Sequence, residues 1–169
     1  MIVIKQMQSL AVVMVLGTSF GLAQEKMEVV PVKYEGLKQE IQKHRGKVVV
    51  VDFWSTSCPP CMKAFPDFIA MQKRHADKGM VLITVSFNEL EDMNLAVKFI
   101  NRHPGPVRHL LLDEPTELKE KKFDYVGLPF YYVFDRQGRW VRFRAADAKD
   151  NKVDYAHLEQ VVVKMLGEK

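Results

Sequence analysis

Cys58 and Cys61 are the only cysteines of the 169-residue chain, and two prolines separate them. Thiols at this spacing admit three kinds of chemistry. A purely structural disulfide would close a loop too short to remove much entropy from the unfolded chain. A metal site needs further ligands, yet His44, His75, His103, His109 and His157 are scattered with no close spacing; of the metals, copper fits two thiolates best. A redox dithiol needs neither. The end of a strand followed by the start of a helix supplies what it requires, because a helix N-terminus carries partial positive charge and unpaired N–H groups that stabilise a thiolate. This third reading is favoured, with Cys58 as the more exposed nucleophile and Cys61 as the buried resolving thiol one turn into the helix. It requires no metal and no organic cofactor.

Three neighbours refine it. Pro59 and Pro60 suit a helix start but bring no N–H. They lower the number of donors near the Cys58 sulfur and so favour a more reducing pair. Asp52 ends an otherwise apolar run six residues before Cys58. Desolvation there would raise its pKa and let it take the proton of Cys61. Far along the chain, Gly127-Leu128-Pro129 opens a strand, so Pro129 is a candidate cis-proline that would turn the backbone of Leu128 toward an extended substrate segment.

The elements that must position these residues alternate. Val29 to Val32 reads as a short edge strand containing Pro31, and Leu37 to His44 as a helix stopped by Gly46. Lys47 to Trp54 holds the run Val48-Val49-Val50-Val51, a strand buried on both faces. Cys61 to His75 is helical, with Phe65, Phe68, Ile69 and Gln72 at three- and four-residue steps, and Asp77 to Gly79 breaks it. Met80 to Phe87 is a second buried strand, Leu90 to Arg102 a helix, His109 to Leu112 a third strand and Thr116 to Phe123 a short helix. Phe130 to Phe134 and Trp140 to Arg144 form a hairpin, and Val153 to Leu166 a closing helix. The expected fold class is α/β, a mixed central β-sheet flanked by helices on both faces.

Residues 1–23 read differently. Lys5 is their only charge, an apolar run from Leu10 to Leu16 follows, and small residues stand at Gly21 and Ala23. This pattern predicts a signal peptide cut after Ala23, leaving one domain over 24–169 and an exported protein. Left uncleaved, the segment would give loose membrane association, since the apolar run is shorter than the ~20 residues of a spanning helix. Loss of Lys5 makes the mature charge one lower than the formal +4 of the full chain. That is too mild for a nucleic-acid binder. Lys119, Lys121 and Lys122 read as a solvated helix face, and Arg142 and Arg144 as a solvated strand face.

Val51-Asp52-Phe53-Trp54, a Cys-x-x-Cys with proline third, and a Gly-x-Pro before a hairpin together resemble the thioredoxin superfamily. The signal peptide, Cys58-Pro59-Pro60-Cys61 and the following Lys63-Ala64-Phe65-Pro66 look most like its exported TlpA/ResA-type thiol–disulfide oxidoreductases. The resemblance implies a thioredoxin fold over nearly all of the mature chain, with Pro66 kinking the active-site helix. It implies a bacterial periplasmic or cell-envelope location, disulfide-containing protein substrates and a membrane thiol-reducing electron donor; some members act in cytochrome c maturation. It puts Glu89 near an acidic active-site position, and Trp54, Pro59, Leu128 and Pro129 on the docking surface. Ser57 stands where an aromatic is common, and Leu128 where Thr or Ser is common.

The expected reaction is thiol–disulfide exchange in the reducing direction, with Cys58, Cys61, Asp52 and Glu89 as the catalytic candidates. The rivals are the same exchange run as an oxidase or isomerase, and a copper carrier using the two cysteines. A peroxidase is disfavoured, because Cys58 lacks a Thr-x-x-Cys pattern.

Overall fold

The computed structural model describes residues 27–124, 127–147 and 152–168. Six strands form one sheet in the order β1-β4-β3-β2-β5-β6. They are β1 (Val29–Val32), β2 (Val48–Trp54), β3 (Met80–Ser86), β4 (Arg108–Leu112), β5 (Phe130–Phe134) and β6 (Trp140–Arg144). The first four run parallel, β5 pairs antiparallel with β2, and β6 antiparallel with β5. The sheet is therefore mixed, as expected, and β1 with Pro31 lies at its edge.

Five α-helices are placed among the described residues: α1 (Tyr34–Gln42), α2 (Pro59–His75), α3 (Met93–Ile100), α4 (Thr116–Phe123) and α5 (Tyr155–Gly167). The period of two along β2 sorts the two cores. Val48, Val50 and Trp54 face one side and pack with Phe65 and Phe68 of α2, Phe99 of α3, and Leu158 and Val162 of α5. Val49, Val51 and Phe53 face the other, with Leu37 of α1 and Phe123 of α4. Asp52 falls by the same alternation on the α2 side, and no residue of β2 reaches solvent.

Local chemistry sets the element ends. The helix after the cysteines starts at Pro59, two residues before the expected Cys61, because proline is pre-organised for the first helical positions. Gly79 closes the following 3-10 turn at φ 94°, and the β5–β6 turn is held by Asp135, whose Oδ1 accepts from the N–H groups of Gln137 and Arg139 at 2.9 Å each. The helix expected from Leu90 is 3-10 over Leu90–Asp92 and becomes α only at Met93. The closing helix starts at Tyr155, because Asp154 caps it by accepting from the N–H of His157.

Two surface expectations are corrected. Lys119 is buried rather than solvated, since it shares a helical face with Phe123 four residues on, and that face packs on the sheet. Arg142 and Arg144 are also largely covered, because their guanidinium groups bond Asp124 and Asp147 instead of pointing into water.

Candidate active site

Cys58 is the N-cap of α2 and Cys61 the third residue of that helix. Their Cα atoms are 5.3 Å apart and the two form a disulfide. The Cys58 sulfur accepts from the N–H of Cys61 at 3.3 Å, the first free donor of the helix, since Pro59 and Pro60 supply none. Both cysteines are more enclosed than expected, Cys58 at 8% exposure and Cys61 at 2%. The order is as expected, and Cys58 lines an open cleft of about 450 Å³ while Cys61 faces the core under α2.

A hydrogen-bond latch holds the loop that delivers Cys58. The Asn88 carboxamide donates to Thr56 Oγ1 at 2.6 Å and accepts from the N–H of Thr56 at 3.0 Å. Ser86 Oγ donates to the same Asn88 oxygen at 2.8 Å. Within the loop the Cys58 N–H bonds the Ser55 carbonyl at 3.2 Å. The end of β3 thus fixes the exit of β2. The alternation of Asn88 with Ser86 at the strand end is the one hint of this latch in the sequence.

Asp52 is wholly buried on the α2 side of β2, between Thr84 of β3 and Tyr131 of β5 in the strand register. Its Oδ2 has no hydrogen-bond partner. Burial alone pushes its pKa from 3.8 to about 8. The neighbouring polar positions follow one line across the sheet: His109 opposite Thr84, Thr84 opposite Asp52, Asp52 opposite Tyr131. Thr84 Oγ1 and His109 Nδ1 are 2.7 Å apart, and the hydroxyls of Tyr131 and Tyr155 are 3.1 Å apart.

The cleft brings together Cys58, Pro59, Glu89 and Leu128, four of the eight expected residues, with Ser55, Ser57, Thr116 and Lys119. The Leu128–Pro129 peptide is cis, at the expected position. Pro129 itself is buried behind it. Trp54 is not on the surface: it is buried between Phe65 of α2 and Phe99 of α3, with ring centroids 5.0 Å from each. Strand alternation turns it inward, so its expected place in a docking surface is corrected to core. Glu89 stands on the rim, 68% exposed, with Oε1 3.7 Å from Lys119 Nζ. Among the described residues no group of three His, Cys, Asp or Glu is placed to hold a metal ion.

Residues 24–144 match the AhpC/TSA family. Thiol-disulfide oxidoreductase ResA of Bacillus thuringiensis (strain Al Hakam) is 31% identical over 139 residues, which cover 78% of each chain. Sporulation thiol-disulfide oxidoreductase A of Bacillus subtilis (strain 168) is 27% identical over 124 residues, 69% of this chain and 72% of that one. Among solved structures, a Chlorobium tepidum protein described as a candidate thiol:disulfide interchange protein DsbE superimposes with a TM-score of 0.57 at 27% identity, covering 75% of this chain and 85% of that one. The chain belongs to the AhpC/TSA family, has the thioredoxin-like fold, and is a thiol–disulfide oxidoreductase of the thioredoxin type.

Proposed function

We propose that the chain is an exported reductant that opens disulfides of protein substrates in the periplasm or cell envelope of a bacterium, cytochrome c maturation being one setting for it. Residues 1–23, outside the described residues, would act as the signal peptide of a single domain over 24–169. Among the described residues no helix is long and apolar enough to cross a membrane.

The observation that carries this reading is the Cys58–Cys61 pair, set at the start of α2 with Cys58 on an open cleft and a buried carboxyl on the strand beneath that helix. In the reaction, the Cys58 thiolate attacks one sulfur of the substrate disulfide. A mixed disulfide forms and the other substrate sulfur leaves as a thiolate. Cys61 then gives its proton to Asp52 and attacks Cys58, releasing the second substrate sulfur. The substrate gains two electrons and the chain ends as the Cys58–Cys61 disulfide. The Asp52 pKa of about 8 lies close to the ~8.5 of a thiol, so that proton moves with little free-energy change. Water could carry it across any gap. Glu89, solvated on the rim, is not needed for this transfer.

Pro59 and Leu128, which line the cleft, would offer the docking surface, with the Leu128 backbone pairing with an extended substrate segment. Outside the cytosol the disulfide must be reduced again, which calls for a membrane thiol-reducing donor. Equilibration of the pair with a dithiol buffer tests the direction. A potential near or below about −270 mV supports a reductant, and one near −120 mV would mark an oxidase instead.

A further inference from the structure

Lys119 is out of place in a cleft floor. Its side chain is 4% exposed, while the residue still lines the cavity beside Cys58. Its ammonium sits 5.3 Å from the centre of the Phe87 ring. An ammonium makes its strong bonds to carboxylate oxygens at about 2.7–2.9 Å. Here the nearest carboxylate oxygen, from Glu89, is 3.7 Å away, beyond hydrogen-bond distance. Glu89 is mostly in water, so its hold is screened and weak.

The surroundings add to the positive potential. Thr116 opens α4 on the same cleft, and its N-cap, Pro115, gives no side-chain cap to the first-turn N–H groups. The two cysteines stand at the start of α2, so the positive ends of two helices meet there. Glu89 is the one acidic group among the lining residues.

We propose that Lys119 is a specificity-determining residue that receives a carboxylate of the substrate, so that disulfides flanked by Asp or Glu are reduced in preference to others. The inference rests on the exchange reading above and names its substrate class. Glu89 holds the site in the absence of substrate and swings into water when the incoming carboxylate takes its place. The Phe87 ring, 5.3 Å from Nζ, holds the ammonium at the cleft. The residue does not touch the reacting sulfurs in this scheme; it selects which disulfide reaches Cys58.

The test uses the reduced protein and three disulfide peptides alike except for Glu, Gln or Lys beside the attacked cysteine. Second-order reduction rates are measured for the wild type and for Lys119→Gln, Lys119→Arg and Glu89→Gln, with a thermal melt of each to show that it is folded. The wild type should favour the Glu peptide over the Gln peptide by about tenfold, the worth of one charge-assisted hydrogen bond. Lys119→Gln should bring that ratio close to one, Lys119→Arg should restore part of it, and Glu89→Gln, an exposed change that spares the core, should raise it. Added salt should lower it. A wild-type ratio near one, or a ratio unmoved in Lys119→Gln, would overturn the proposal. So would an equal fall for all three peptides, which would place Lys119 on the thiol rather than on the substrate. A wild type that reduces none of them would remove the exchange reading itself, and this one with it.

Discussion

Asp52 and Tyr131 stand opposite each other on β2 and β5, on the face covered by α2. The Tyr131 ring stacks on Phe68 of that helix at 4.6 Å, and its hydroxyl lies 3.1 Å from that of Tyr155. The carboxyl is therefore walled by aromatic groups beneath the active-site helix. Its desolvation follows from two choices: an apolar strand and a strand position facing α2.

This burial makes folding depend on pH. Below about pH 4 Asp52 is protonated in both folded and unfolded chains. As pH rises from 3.8 toward about 8, the unfolded chain loses the Asp52 proton and the folded chain keeps it, so the contribution of this group to stability falls across that window. Asp52→Asn removes the effect. Denaturant titrations of the oxidised protein should show the variant equal to the wild type near pH 4 and more stable by several kcal/mol above pH 8. A gap that does not grow with pH would contradict the buried carboxyl.

The same substitution separates the two steps of exchange. Formation of the mixed disulfide should change little, because Cys58 starts it. Its resolution by Cys61 should slow by about a hundredfold, and the rise in its rate through pH 8 should disappear. Stopped-flow mixing with a disulfide peptide reads both steps.

His109 works against Asp52 on the acid side. Burial, with help from Arg108, pushes its pKa down to about 4. Between the ordinary 6.5 and about 4 the unfolded chain takes up a proton at this site and the folded chain does not, so the contribution of His109 to stability is lost as pH falls through that range. His109→Gln keeps a partner for Thr84 and should leave the opposite slope of Asp52 unbalanced, so that stability rises more steeply than in the wild type as pH falls from 6.5 to 4. An unchanged slope would mean that other groups govern the acid limb.

Much of this arrangement is legible in the sequence, and the reasons differ by element. Val48 to Val51 declares a strand buried on both faces because β-branched residues crowd a helix and fill a sheet. Asp52 stands out because nothing else polar interrupts that strand. Lys119 is hidden among Lys121 and Lys122, and only its four-residue spacing from Phe123 marks it as inward. Trp54 is misread for a related reason: its neighbourhood to the cysteines suggests a surface, while the alternation that turns Asp52 inward turns Trp54 inward too. Asn88 depends on a tertiary meeting of two strand ends, of which its alternation with Ser86 is only a faint local trace.

That meeting is testable. Asn88→Ala removes the bonds to Thr56 and Ser86, leaving the Thr56 N–H without its acceptor. The loss should cost about 1–3 kcal/mol and speed hydrogen exchange at the Thr56 amide ahead of the core strands. A variant as stable as the wild type, with Thr56 equally protected, would show that the loop is held by other means.

The most direct test of the central claim is a trap. Cys61→Ser should stop exchange after the first step and accumulate a mixed disulfide between Cys58 and a protein disulfide substrate, resolved by mass spectrometry as one covalent partner per chain. Cys58→Ser should accumulate none, because Cys61 lies under α2 and away from the cleft. Accumulation on Cys61 in the Cys58→Ser variant, with Cys61→Ser left empty, would contradict the account.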